Sequence, residues 1–353
     1  MRLNKKLLVF YSIITFCLVF IYFIQRKPIN EILYEKTKIP STIYIGVVSC
    51  SGRSAETLTL LKSALIFRED KVKLHFIIIT ESSTLDVFEE KLSDWREILP
   101  KQFNFTVLPT QFPEKNEKVW RTLFKPCAAQ RLFLPTILKD IDSLLYMDTD
   151  TLFLYPPSEI WSAFSTFNAS QLAGLVEEHE DRNVGWYNRF ARHPFYGAMG
   201  LNSGVMLMNL TRMREFEWEK KIFPIYDSYK NKIIFGDQDL INIFFYYFPD
   251  KVKILSCVYN YRPDYCMYSP VCNVSQGIRI LHGNRGYFHQ NKQPLFKQIF
   301  DTIQTVDLRN DSGEFVVKTL NAVLSDIPVT QSRCGKISDK ILLSINSFYN
   351  KSF

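Results

Sequence analysis

The stretch Ser143-Leu144-Leu145-Tyr146-Met147-Asp148-Thr149-Asp150-Thr151-Leu152-Phe153-Leu154-Tyr155 runs apolar into two carboxylates and apolar again out of them. A short apolar run of this kind reads as a buried strand. Extended backbone sends residues i and i+2 to one side, so Asp148 and Asp150 can present two carboxylates to one small ligand. At the carboxyl end of a strand in an α/β sheet, ligands sit in the crevice beyond the strands. Two hard oxygens of one sign suit a divalent cation, and such a cation commonly bridges to phosphates. Spacing alone decides little, because about one Asp-x-Asp is expected by chance in a chain this long. Asp140-Ile141-Asp142 and Asp237-Gln238-Asp239 share it. The surroundings of the pair have to decide.

Upstream, apolar strands alternate with helical patterns. Residues 43–49 read as a buried strand, 56–68 as a helix, 74–80 as a strand, 85–99 as a helix and 105–108 as a third strand. A helix over about 128–138 then leads into the acidic strand. Such alternation argues for a right-handed, largely parallel α/β sheet. Neither Gly-x-Gly-x-x-Gly nor Gly-x-x-x-x-Gly-Lys-Ser/Thr occurs, which lowers dinucleotide oxidoreductases and P-loop enzymes in rank. Downstream, Asn202-Ser203-Gly204 reads as a small-residue turn entering a strand. Gly236-Asp237-Gln238-Asp239 opens a helix through Phe245, with Asp237 as its N-cap. Beyond about residue 300 the chain turns polar and weakly patterned, and no site is assigned there.

The 353 residues are 46% hydrophobic and 15% aromatic, enough for a sizeable core. The formal charge of +7 is diffuse and no run of five Lys/Arg occurs, which argues against a nucleic-acid tract. Residues 7–24 form an uncharged apolar segment flanked by basic residues, long enough to span a bilayer. Gln25-Arg26-Lys27-Pro28 follows it in place of a small-residue cleavage site, so an uncleaved anchor is expected rather than a removed signal peptide. Six cysteines lie beyond it, and Asn-x-Ser/Thr acceptors begin at Asn104, Asn168, Asn209, Asn273 and Asn310. That combination fits an oxidising lumen. Asn209 ends a strand-like run and is not expected to be used. Cys266 and Cys272, flanking Ser269-Pro270, are the expected bridge; the remaining pairing stays open.

Among the five His, His282 has the best setting for a third metal ligand, because it follows an apolar strand and its neighbour Gly283 allows close backbone approach. Its alternative is an ordinary hydrogen-bonded loop residue. A His beside two carboxylates favours Mn²⁺ over Mg²⁺. Arg131, alone on a largely apolar helix, could face a phosphate or take an ordinary ion pair. Residues 185–196, with aromatic and basic groups mixed, could stack on bases or sugars or simply pack into the core. Gln238 is a poor nucleophile, so any role would be positional or electrostatic. Leu201, Met206 and Met208 could wall a sugar pocket or serve as strand core.

Long stretches then add to this reading: LFKPCAAQRLFLP at 123–135, ILKDIDSLLYMDTDTLFL from 137, EEHE at 177–180, GWYNRFARHPFYG from 185, NSGVMLMNLTRMR from 202, GDQDLINI from 236, YNYRPDYCMY from 259 and LHGNRG from 281. Together they resemble glycosyltransferase family 8, retaining enzymes, and most nearly the glucoside xylosyltransferases, which extend O-linked glucose on epidermal-growth-factor-like repeats. The resemblance spans most of residues 42–300 and fades beyond. It implies a single GT-A, Rossmann-like domain over 41–300, behind a cytoplasmic tail (1–6), the anchor (7–24) and a stem (25–40), and followed by a C-terminal tail (301–353). It implies Mn²⁺ on Asp148, Asp150 and His282. Arg131, the Asn202-Ser203-Gly204 turn, Gly283, and Arg285 or Lys292 would hold the donor, and Asp237 and Gln238 would border the reacting centre. Many members end with His-x-x-Gly-x-x-Lys-Pro-Trp, whereas this chain has His282-Gly283-Asn284-Arg285-Gly286 running on to Lys292, so which cation holds the diphosphate is open.

The expectation is a luminal, single-pass type II, Mn²⁺-dependent transferase of the Golgi or endoplasmic reticulum, moving xylose from UDP-xylose in α linkage onto glucose of a glycoprotein acceptor. The alternatives are a family member using UDP-glucose or UDP-galactose, and a silent sugar-binding protein that kept the fold.

Overall fold

β1 (Thr42–Ser49) alternates Ile43, Ile45 and Val47 into one core cluster. It lies between β2 (Lys73–Thr80) and β4 (Ser143–Met147), and both pair with it in parallel. This computed structural model describes residues 42–349 apart from 124, 126, 180 and 312. The apolar segment 7–24 therefore lies outside the described residues, among which no helix is long and apolar enough to cross a membrane.

The parallel half of the sheet follows the alternation read from the sequence. α1 (Ser54–Ile66) returns the chain from β1 to β2, and α2 (Leu85–Ile98) from β2 to β3 (Phe103–Pro109). Both helices bury Leu-rich faces against the sheet, Leu60, Leu61 and Ala64 on α1 and Phe88 and Leu92 on α2. The whole sheet is largely parallel, as expected, and mixed only through one reversed strand, in the order β3-β2-β1-β4-β7-β6-β8. β7 (Leu201–Asn209) runs antiparallel to both β4 and β6 (Ala173–Glu177), while β8 (Val252–Ile254) runs parallel to β6. Antiparallel neighbours need no crossover helix, and among its described residues the 178–200 connection holds the single helical turn Tyr187–Phe190.

A second, two-stranded sheet positions the site. β5 (Thr151–Phe153) pairs antiparallel with β9 (Ile280–His282), setting Thr151 opposite His282. Asp148, Thr149 and Asp150 occupy the turn between β4 and β5 and are not extended. Their carboxylates therefore converge through the turn, which the Thr151 hydroxyl closes by donating to the Asp148 carbonyl at 2.7 Å.

Three further expectations are corrected. The helix over 128–138 is a 3₁₀ segment, Ala128–Phe133, followed by the short turn Leu134–Ile137. Pro135 has no N–H to donate, so it is tolerated only in the first turn of Leu134–Ile137 and a continuous α-helical ladder does not pass through it. Gly236 (φ 65°), not Asp237, is the N-cap of α3 (Asp237–Tyr247). Asp237 sits in the first turn and turns its carboxylate to Arg131 instead. Cys266 and Cys272 are not bonded to each other. The bridges are Cys50–Cys127, Cys257–Cys272 and Cys266–Cys334. Cys266 lies on the helical turn Pro263–Met267, which packs against Cys334–Ile337, far along the chain.

The described residues after 300 are part of the same compact unit. α4 (Pro294–Thr305), α5 (Gly313–Leu324) and α6 (Ser338–Tyr349) carry apolar stripes into the main core. Val316, Leu320 and Leu324 on α5, and Ile341, Ile345 and Phe348 on α6, are the buried contacts. Leu201, Met206 and Met208 are all buried in the second core cluster, which is the strand-core reading of those residues. Asn209 accepts from the Arg212 N–H as a helix N-cap, while the other four acceptor asparagines are exposed.

Two outcomes test this packing. Ile345→Ala should cost about 2–5 kcal/mol, as truncation of a fully buried aliphatic side chain does, read from urea denaturation. Peptide mapping without reduction should recover Cys266 joined to Cys334; a peptide joining Cys266 to Cys272 would contradict the fold.

Candidate active site

Backbone hydrogen bonds from two sides seat the acidic turn, and a third seats His282. The Asp148 N–H donates to the Gly204 carbonyl at 2.7 Å, and the Gly283 N–H donates to the Asp150 carbonyl at 2.8 Å. The His282 N–H donates to the Tyr261 carbonyl at 2.8 Å. A Cβ on Gly204 would stand 2.3 Å from His282 Cε1, so only glycine lets the imidazole reach the turn. Gly283 has a different reason: a Cβ there would strike the Phe288 ring at 2.5 Å.

One ligand atom each from Asp148, Asp150 and His282 lies within 4.8 Å of the others. His282 Nε2 stands 3.3 Å from Asp150 Oδ1. The tautomer follows from the neighbouring network. The Gly204 N–H donates to Asn202 Oδ1 at 3.0 Å, which makes that atom an acceptor. Asn260 Nδ2 donates to the same oxygen at 2.7 Å, so Asn260 Oδ1, 2.8 Å from His282 Nδ1, accepts the imidazole proton. Nε2 then offers a lone pair toward the Asp150 oxygen, another lone-pair atom. Two acceptors this close require a proton or a cation between them, and a carboxylate pair with an oriented imidazole fits a divalent metal. The other metal-like group among the described residues contains Cys50 and Cys127, which are bonded to each other.

Charge around the turn is balanced by Arg131. Its guanidinium pairs with Asp148 at 2.9 Å and with Asp237, donates to the Ser203 carbonyl at 2.5 Å, and lies over the Tyr146 ring at 4.5 Å. Burial pushes the Asp237 carboxyl up to about 6, with Arg131 opposing. Burial would raise Asp150 as well, but with a proton on His282 Nε2 the imidazolium, then Arg53 and Lys125, pull it down to about 2. These groups line a cleft of about 330 Å³ that also exposes Ser51, Arg53 and Thr149.

The remaining expected residues divide into two groups. Asn202, Ser203 and Gln238 adjoin the cleft: the Ser203 N–H donates to Gln238 Oε1 at 3.2 Å. Gln238 Nε2 and Asn202 Nδ2 both donate to Glu178 Oε2, at 3.2 and 2.8 Å. Glu178 is buried, and burial raises its pKa against the opposing effect of Arg262. Arg285 and Lys292 are elsewhere. Arg285 pairs with Asp264 and lines a separate cleft with Trp186, Arg189 and Arg333, while Lys292 is exposed and lines neither cleft. In the 185–196 segment, Tyr187 and His193 are buried against Asp239, so much of it is core. Sequence reasoning missed Glu178 and Asn260 as site residues, although both lie in stretches quoted above. It also missed Arg53, whose only signal was its place just after the first strand.

Residues 54–284 match the description of glycosyl transferase family 8. The chain belongs to this family. The family 8 chain is 43% identical to mouse glucoside xylosyltransferase 2 over 88% of its own length and 72% of that protein. It is 44% identical to human glucoside xylosyltransferase 1 over 84% of its length and 69% of that protein. Its fold is that of two solved structures, the apo form of mouse xyloside xylosyltransferase 1 and the galactosyltransferase LgtC with donor and acceptor sugar analogs. The first has a TM-score of 0.51 at 19% identity over 69% of this chain and 98% of that one. The second has a TM-score of 0.55 at 17% identity over 75% and 97%. The mixed-sheet GT-A architecture is thereby shown for the family 8 chain.

The Asn260 relay predicts a measurable effect on metal. Asn260→Ala should leave the fold intact by circular dichroism and weaken Mn²⁺ binding roughly 10–100-fold, the usual effect of losing the partner that orients a ligating His. Unchanged affinity in a Mn²⁺ titration would remove Asn260 from that role.

Proposed function

We propose that this family 8 enzyme transfers xylose from UDP-xylose, in α linkage, onto glucose O-linked to epidermal-growth-factor-like repeats. The observation that carries the reading is the convergence of Asp148, Asp150 and His282, with the two carboxylates lining a cleft together with Arg131 and Asp237. Identity of 43–44% to glucoside xylosyltransferases over most of the chain supports the sugar and the acceptor. The metal we assign is Mn²⁺, because one imidazole beside two carboxylates favours it over Mg²⁺. When bound, it would supply Lewis-acid screening of the diphosphate and of the departing UDP.

The chain's own groups then divide the remaining work. Arg131 holds Asp148 and Asp237 in one plane of charge and keeps the Asp237 carboxylate at the cleft wall. Gln238, fixed between the Ser203 N–H and Glu178, presents an amide rather than a nucleophile to the reacting centre. We therefore assign front-side displacement: the bond from sugar C1 to the UDP oxygen breaks while the acceptor oxygen bonds C1 from the same face. The acceptor proton passes to the departing phosphate. Asn202, Ser203 and Gly204, which open strand β7 rather than form a turn, stand beside the sugar, and Gly283 gives its N–H to the Asp150 carbonyl to hold the acidic turn.

We place the enzyme in the Golgi or endoplasmic reticulum, anchored through residues 7–24 with the catalytic domain in the lumen. Three disulfides and four exposed acceptor asparagines support an oxidising, glycosylating compartment.

Incubation with UDP-xylose and a glucosylated repeat should add one pentose in α linkage, read by mass and by anomeric proton coupling. Equal transfer from UDP-glucose, or a β product, overturns the donor or the stereochemistry. Asp148→Asn and Asp150→Asn should lose at least about a thousandfold in turnover, on the scale of removing transition-state charge stabilisation. The pH profile carries a sign. Asp237 takes a proton as pH falls through about 6, ending its pair with Arg131, so the rate should fall on that limb. Its native pKa is above the ordinary value of 3.8, so the folded state binds that proton first. The stability this group contributes is thus present at acid pH and lost as pH rises through about 6, opposite to the rate. Asp237→Asn should abolish the acid limb.

A further inference from the structure

The diphosphate cation is the gap in the site. Arg131 is committed to Asp148, Asp237 and the Ser203 carbonyl. Arg285 is paired with Asp264 in another cleft, and Lys292 lines neither cleft. With Asp148, Asp150 and Asp237 facing the pocket, one divalent ion and Arg131 only balance the protein's own carboxylates. A nucleoside diphosphate brings further negative charge, which calls for another cation.

Arg53 has the position and the support for this. It precedes α1, just after the left-handed Ser51 (φ 59°) and Gly52 (φ 77°), which aim the loop into the cleft. Its side chain is 39% exposed and lines that cleft. Its Nη1 donates to Glu56 Oε2 at 2.5 Å and to Thr149 Oγ1 at 3.2 Å. Glu56 is buried and acts as the hub. It accepts from the Thr149 hydroxyl at 2.8 Å and stands 3.0 Å from His289 Nε2. One carboxylate thereby ties the loop after β1, the acidic turn and the segment after His282 to the same guanidinium. Cys50, three residues before Arg53, is bonded to Cys127, which fixes the loop to the segment leading into Arg131. Lys125 lines the same cleft as an exposed point charge, without the planar fork that matches phosphate oxygens.

We propose that Arg53, held by Glu56 and Thr149, is the cation that binds the donor's diphosphate in this chain, taking the place of the lysine that many family 8 members carry after the metal histidine. The assignment rests on the nucleotide-sugar reading above and deepens it. Its fork grips phosphate oxygens through the edge that Glu56 leaves open, and the fixed loop holds that edge in place before the donor arrives.

Calorimetric binding of UDP and of uridine to the full chain, each with Mn²⁺, separates the possibilities. Arg53→Ala should weaken UDP roughly tenfold or more while uridine stays within about twofold, because only the phosphate contact is lost. Arg53→Lys should recover part of the UDP affinity, keeping charge without the fork. UDP affinity unchanged in Arg53→Ala, or a loss found instead in Arg285→Ala or Lys292→Ala, overturns the assignment. An equal fall for uridine overturns it too, since that marks a collapsed pocket rather than a missing charge. A wild-type chain that binds no UDP overturns the donor reading and this assignment with it.

Discussion

Two lone pairs face each other across 3.3 Å, on His282 Nε2 and Asp150 Oδ1, with Asp148 close by, and the surrounding structure is built to hold them there. Such groups repel until a proton or cation enters, so their approach has to be enforced by bonds elsewhere. The β5–β9 pairing enforces it along the backbone, and the Gly204 and Gly283 backbone contacts with the turn enforce it from either side. Arg131 offsets the charge that remains.

The site is assembled from segments spread over about two thirds of the chain. Glu178 closes a buried polar network in which Asn202, Asn260, Gln238 and His282 each use an identified atom. Every member depends on the next, because a buried amide turned the wrong way would leave unpaired groups in a low-dielectric setting. The imidazole orientation at the acidic turn is therefore set partly by a carboxylate that contacts neither Asp148 nor Asp150. Opposite, Glu56 does the same for Arg53, Thr149 and His289. Each of the two buried carboxylates orients the side chains of its own network.

The C-terminal helices show why a segment without a site still matters. Cys334 crosses to Cys266, and α5 and α6 complete the core beneath α1 and the β5–β9 sheet. Support for that sheet is support for His282. Their stripes, at 316, 320 and 324 and at 341, 345 and 348, have helical spacing, but they are short and diluted by polar residues, which is why the segment reads as weakly patterned in sequence.

The local sequence determined the parallel half of the sheet, since buried strands of Ile and Val alternating with amphipathic helices have few other ways to bury their apolar faces. It also determined the acidic pair and His282 beside Gly283, because each is contiguous and carries its chemistry in residue type, whereas the expected turn at Asn202-Ser203-Gly204 is part of strand β7. Tertiary structure alone decided which cation meets which acid. Arg131, Arg285 and Lys292 are equivalent as letters, and only the packing commits the first to Asp148 and Asp237 and the second to Asp264. The same holds for the bridges. Cys266 and Cys272 are close along the chain, yet the helical turn under Cys266 faces Cys334 and leaves Cys272 to Cys257. Direction of a side chain in space follows from what the neighbouring elements bury, and that is set by contacts between residues far apart in sequence.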